Sequence, residues 1–243
     1  MEQVKSYADS RLLNGCIYCG GPANTREHVP SKVFLDKPYP ENLPIVDACL
    51  ECNNGFSGDE EYVATFIEVV SSGTLDASKI KRERIVEILE RAPSLKSRIQ
   101  RSIIRNSSAT TFNMEVERIK RILIKLAQGH VAFELSEQCE DTPYSVWWGD
   151  INQMTEEEQK DFSSDTIVDI LSEVGSRHSR KLMIVETLLK DVNDNIKKVE
   201  MILNPWIEVQ ENRYEYITDI IGHFIRVKLL IGGYFACQVV WSS

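Results

Sequence analysis

The chain is 243 residues long, 42% hydrophobic and 27% charged, with 28 Lys and Arg against 37 Asp and Glu for a formal net charge of −9. That length and apolar content support one or two compact domains, each with a genuine core, and no internal repeat or low-complexity tract interrupts them. The best apolar run, Leu229 to Trp241, is 13 residues broken by Gly232-Gly233 and Gln238, which excludes a transmembrane helix, and the opening MEQVKSYADS lacks the apolar core of a signal peptide, so a reducing cytoplasm is expected.

Two Cys-x-x-Cys pairs come first along the chain, Cys16/Cys19 and Cys49/Cys52. Each pair lets two thiolates reach one ion from a single tight turn, and the two together supply the four ligands of a closed structural zinc site. Gly20 and Gly21 follow the first pair, where a knuckle needs a permissive backbone. The 29 residues between Cys19 and Cys49 are more than a simple ribbon needs, so a folded segment is expected between the knuckles. The alternatives are disulfides, which fit a reducing compartment badly, and buried free thiols. Cys139 and Cys237 stand far apart and read as ordinary buried residues.

Between and beside the knuckles the chain runs Arg26-Glu27-His28-Val29-Pro30-Ser31-Lys32, then Glu41-Asn42-Leu43, then Cys49-Leu50-Glu51-Cys52-Asn53. This stretch, residues 16–62, resembles the HNH endonuclease family in its zinc-bound ββα-metal, treble-clef-like form. The resemblance implies a nuclease domain over 1–72, with His28 as general base and Glu27 and Asn53 as ligands of a catalytic Mg²⁺ or Mn²⁺. It further implies that Asn42 holds the loop and the histidine in place. Most members carry Asp before the histidine; Glu27 is one methylene longer, which moves the carboxylate. The chemistry agrees, because phosphodiester hydrolysis needs an activated water and a counter-charge, tasks suited to a neutral imidazole and a hard cation. On a regular strand Glu27 and His28 point to opposite faces, so a twist, a bulge or the bend at Pro30 is expected there. Asn53 can alternatively cap a helix, Ser57-Gly58-Asp59-Glu60 reads as a capping box starting the next helix, and His130, His178 and His223 read as structural.

Residues 79–128 hold 13 basic and 5 acidic side chains, whereas the remainder of the chain is net acidic. Ile85, Ile88 and Leu89 share a helical face before Pro93, and Ile119, Ile122, Leu123 and Leu126 share another before Gly129. Arg82, Arg84, Arg118, Arg121 and Lys125 then fall on the polar faces or their margins, the expected surface for a DNA backbone, unless they form an ordinary solvated helix face. A Thr155-x-x-Glu158 cap follows, then β-type runs at Lys198–Leu203, Trp206–Gln210, Arg213–Thr218, Phe224–Ile231 and Tyr234–Trp241, the last two joined by Gly232-Gly233 as a hairpin. The expected architecture is α+β: the zinc unit packed on a helical and antiparallel-sheet accessory domain over 73–243. Trp147-Trp148, Trp206 and Trp241 suit either base stacking or a core.

Two functions remain open on these residues. One is a DNA endonuclease, with a protein partner supplying recognition if the chain serves in prokaryotic restriction or anti-phage defence, roles that members of the resembled family hold. The other is a zinc-stabilised module that binds nucleic acid or protein without cutting.

Overall fold

The structure is a computed structural model and describes residues 15–105, 110–168, 181–190 and 196–242. The leader reading at residues 1–10 and the reading of His178 lie outside these. Strands β1 (Thr25–His28) and β2 (Ile45–Ala48) pair antiparallel in unbroken register, Glu27 opposite Val46 and His28 opposite Ile45. Helix α1 (Leu50–Ser72) follows at once, because the Cys49 Sγ accepts the Cys52 amide and so caps the first turn. This corrects the capping box expected at Ser57–Glu60. Those residues lie within α1, where the Ser57 hydroxyl turns back to the Asn54 carbonyl and Asp59 and Glu60 reach sideways to another helix.

The second half of α1 buries Tyr62, Val63, Ala64, Phe66, Ile67 and Val69, and the helix stops at Gly73 in a left-handed conformation. Helix α2 (Glu83–Arg91) buries Ile85, Ile88 and Leu89 as their spacing predicts, and α3 (Pro93–Ser102) starts on a proline, whose missing N–H is no loss there. A short ribbon, β3 (Ile103–Arg105) with β4 (Thr110–Phe112), leads into α4 (Val116–Leu135). Ile119, Ile122, Leu123 and Leu126 are buried as expected, each worth roughly 1.5–3 kcal/mol relative to exposure. The helix does not end at Gly129. It continues through Phe133 because Gly129 is a contact point: a Cβ there would sit 3.1 Å from Val29 Cγ2, so the bare backbone lets the chain leaving β1 lie against α4.

The C-terminal part holds two antiparallel sheets. Strand β5 (Ser145–Asp150) precedes α5 (Glu156–Ser163), which carries the expected Thr155/Glu158 capping box. The smaller sheet has the order β6-β8-β7, formed by β6 (Thr166–Ile167), β7 (Met183–Lys190) and β8 (Ile196–Asn204). The larger sheet adds β9 (Ile207–Gln210), β10 (Tyr214–Ile221), β11 (Phe224–Ile231) and β12 (Phe235–Ser242) to β5, in the order β5-β12-β11-β10-β9. The β11–β12 hairpin turns on Gly232 and Gly233 with φ of 65° and 72°, the left-handed pair that a tight hairpin of this twist demands. The molecule is therefore α+β.

One continuous core joins α1, α2 and α4 to the inner face of the larger sheet, and the segment between β1 and β2 contributes Val33, Phe34, Leu35 and Leu43 to it. A smaller cluster of Ile17, Val29 and Val46 packs on Ala132 and Phe133 of α4. The expected division after residue 72 thus falls at the end of a helix whose buried half is shared with the rest of the molecule. Cys139 and Cys237 are buried free thiols. His130 is fully buried, bonded through Nε2 to the Tyr214 hydroxyl at 2.9 Å and stacked on Tyr216, the structural role expected of it. Among the described residues no helix is long and apolar enough to cross a membrane.

Candidate metal centre and active site

The first knuckle is a tight turn in which the Gly20 amide donates to the Cys16 carbonyl and the Cys16 amide to Gly21. It is tied to β2 by the Ile17 amide on Asp47 and the Asn24 amide on Ala48. The second knuckle is the start of α1, where the Asn24 side chain accepts the Leu50 amide. This arrangement brings the four sulfurs of Cys16, Cys19, Cys49 and Cys52 within 4.8 Å of one another, all as free cysteines. A tetrahedron with ~2.3 Å metal–sulfur bonds has edges of about 3.8 Å, and Cys19 Sγ lies 3.8 Å from Cys49 Sγ. The Cys52 amide holds the Cys49 thiol down to about 7, while burial and its sulfur neighbours push Cys52 up. The Cys49 thiolate forms readily, whereas Cys19 and Cys52 need a cation beside them, as ligands of a metal do. Among the described residues this is the one group of three or more His, Cys, Asp and Glu side chains that could hold a metal ion.

Asn53, one residue past the last cysteine, does not cap a helix. Its side-chain amide donates at 3.3 Å to both the Thr25 hydroxyl and the Arg26 carbonyl, clamping α1 onto β1, and its own oxygen accepts no hydrogen bond among the described residues. That is the holding role expected of Asn42, which instead stands exposed in the turn before β2. His28 ends β1 half-buried. Its Nε2 is buried without a hydrogen-bond partner among the described residues, and burial, with Lys32 and Lys125 adding positive charge, lowers its pKa below 6.5. The imidazole is therefore neutral at physiological pH. The regular register carries no bulge at Glu27–His28, so the two side chains leave β1 on opposite faces, Glu27 on the Thr25 face that meets α1.

Glu27 is buried in a cluster that sequence reasoning did not assemble. Lys125 of α4 donates from Nζ to Glu27 Oε1 at 2.8 Å, to Glu60 Oε1 at 2.5 Å and to Ser31 Oγ at 2.5 Å. The Lys125 side chain is 2% exposed and those of Glu27 and Glu60 11% and 12%, so an ammonium sits between two nearly desolvated carboxylates. The Lys125 ammonium also faces the rings of Tyr18 and Phe56, 5.9 and 5.8 Å from their centroids. Every hydrogen bond on Glu27 falls on Oε1, and Oε2 accepts none among the described residues.

The basic face expected over residues 79–128 is mostly spoken for within the fold. Arg82 is buried, bonded to Asp36 and to the carbonyls of Val33 and Leu35. Arg118 and Arg121 both grip Asp59 of α1, at 2.7 and 2.6 Å, and Arg84 faces Glu61 and Glu87. Carboxylates scattered through the acidic remainder neutralise the run, which corrects its reading as an open phosphate-binding surface. Arg121, half-exposed, and the exposed Arg26 stay open to solvent near the start of α1, while Lys79, Lys81 and Arg101 are exposed elsewhere on the run. Trp241 is core, whereas Trp147 and Trp206 flank Phe162 in a half-exposed aromatic group near the end of α5.

No family model, curated protein or solved structure matches the chain.

Proposed function

We propose that the chain is a metal-dependent endonuclease of HNH type acting on DNA, its N-terminal unit a ββα-metal domain stabilised by a structural zinc on Cys16, Cys19, Cys49 and Cys52. One observation carries the reading: a neutral histidine with a buried, unpartnered Nε2 ends a strand that the cysteine knuckles and Asn53 lock to the start of a helix. A buried nitrogen without a partner among the described residues is a vacant acceptor, and what sets His28 apart from His130, whose Nδ1 is likewise unpartnered, is its place beside the knuckles rather than in the core. In this role His28 accepts the proton of the attacking water, for which a neutral imidazole is required. The uncommitted oxygens of Glu27 and Asn53 suit a hard divalent cation, Mg²⁺ or Mn²⁺, which supplies counter-charge for the crowded phosphate and the leaving oxygen. Asn53 fixes β1 through its amide, and Arg26 and Arg121 are the solvent-exposed cations near the start of α1 that suit contact with the backbone.

The ion pair on Glu27 Oε1, and the opposite faces on which Glu27 and His28 leave β1, favour a second reading, a zinc-stabilised binding module whose acidic residue is structural. One experiment separates the two: supercoiled plasmid incubated with the zinc-loaded protein and Mg²⁺ or Mn²⁺, beside His28→Ala. Loss of a general base is expected to cut the rate at least about 10²-fold, with zinc content and duplex affinity unchanged. Cleavage by His28→Ala at the wild-type rate overturns the nuclease reading, and absence of cleavage by both favours the binding module.

A further inference from the structure

We propose that Lys125 is a built-in counter-cation that keeps the Glu27–Glu60 pair from taking up a divalent ion until a phosphate joins the site. The inference rests on the nuclease reading above and concerns how that site is loaded.

Lys125 lies 98 residues from Glu27 in sequence, on α4 rather than β1, yet all three of its N–H donors are used: on Glu27, Glu60 and Ser31. It therefore cannot swing aside without leaving two carboxylates facing each other out of water, an arrangement far costlier than the intact cluster. Three formal charges share one nearly dry volume, two negative and one positive. A divalent ion approaching Glu27 Oε2 meets a residual charge of only −1 and the repulsion of a fixed ammonium nearby. Such repulsion is strong because the groups are screened little by solvent. A phosphodiester brings the missing negative charge, so the ion and the substrate should enter together. The pinned Oε1 also holds the Glu27 carboxylate as a one-oxygen donor, which leaves room for water and phosphate around an ion that prefers to keep several such ligands. Lys125 is thus a positioning residue: it acts on the cation through Glu27.

The test uses Mn²⁺ as the probe, its binding to the full-length zinc-loaded chain followed by electron paramagnetic resonance, with and without a short DNA duplex. Wild-type protein is expected to bind Mn²⁺ weakly alone and more tightly with duplex. Lys125→Met keeps an unbranched side chain of similar length beside Tyr18 and Phe56 and removes the charge, and should tighten Mn²⁺ binding without duplex by about tenfold or more, a factor corresponding to about 1.4 kcal/mol. Damage to the fold loosens a site; it does not tighten one. Should Lys125→Met fail to fold, Glu60→Gln reads the same balance in the other direction and is expected to weaken Mn²⁺ uptake in the presence of duplex. Equal Mn²⁺ affinity in a folded Lys125→Met and the wild type, unchanged uptake in Glu60→Gln, or wild-type uptake that ignores the duplex overturns the inference. A wild-type protein that takes up no Mn²⁺ under either condition overturns the catalytic-cation part of the nuclease reading itself.

Discussion

Stripping zinc should unfold one small region and spare the rest, because the cysteine cluster and the main core hold different parts of the chain. Apart from the metal, the knuckle at residues 16–21 is held by few contacts: Ile17 and the partly buried Tyr18 pack in the small cluster with Val29, Val46, Ala132 and Phe133, Tyr18 also meets Phe56, and the Gln138 amide donates to the Cys16 carbonyl. Burying Ile17 and part of Tyr18 is worth roughly 1.5–3 kcal/mol for each side chain at most, whereas ordering each residue of the knuckle costs about 1–2 kcal/mol. Zinc bound by four cysteines in small domains supplies an apparent ~10–16 kcal/mol, so its removal leaves the knuckle without net stability. Residues 62–69 of α1 sit instead in the continuous core with α4 and the larger sheet, and Val33, Phe34, Leu35 and Leu43 are anchored there too. The assay is amide hydrogen exchange before and after chelation, with zinc release followed by a metallochromic dye. Four amides report on the knuckle: Cys16 on Gly21, Ile17 on Asp47, Gly20 on Cys16 and Asn24 on Ala48. Their protection should fall by several orders of magnitude, each factor of ten being about 1.4 kcal/mol, while the amides of Tyr62–Val69 stay protected. Unchanged protection at all four after zinc has left would refute the argument, and so would loss of protection in both regions together.

Three further outcomes are expected. Buried His130, against Tyr214, Tyr216 and Glu134 and near Lys181 and Lys125, titrates well below 6.5 because burial opposes its charge; the unfolded chain binds the extra proton first, so stability is full above about pH 6.5 and falls by about 1.4 kcal/mol per unit below it until the folded-state pKa is reached. Urea melts between pH 5 and 8 should show that slope, and His130→Gln should lack His130's share of it. Asp59→Asn releases Arg121, while Arg118 keeps Glu115, so duplex binding should tighten and the slope of log affinity against log salt should steepen by about one unit for the new phosphate contact; an unchanged slope means Arg121 never faces DNA. Tyr234→Phe removes the hydroxyl that donates to the Ile67 carbonyl at 2.6 Å and should cost about 1 kcal/mol in a denaturant melt, with cysteine-bound zinc unaffected.

Local chemistry was legible in the sequence. The two Cys-x-x-Cys pairs announce their convergence because each pair's geometry is set within four residues, and the apolar spacing of α2 and α4 and the runs of β8 to β12 follow from side-chain periods of 3.6 and 2. The Gly232-Gly233 hairpin is similarly local. Boundaries were less so. The start of α1 was hidden because a cysteine, rather than Ser57, caps it, and α4 ran past Gly129 because a contact with Val29 outweighs the weak helix preference of glycine. Only the tertiary structure decided where charge goes. Nothing in the run at residues 79–128 says that Arg82 will be buried on Asp36, that Arg118 and Arg121 will meet Asp59, or that Lys125 will close over Glu27 from 98 residues away. A charged side chain has no periodicity that names its partner; the pairing is fixed by which helices cross, and crossing is decided by the apolar faces that bury them.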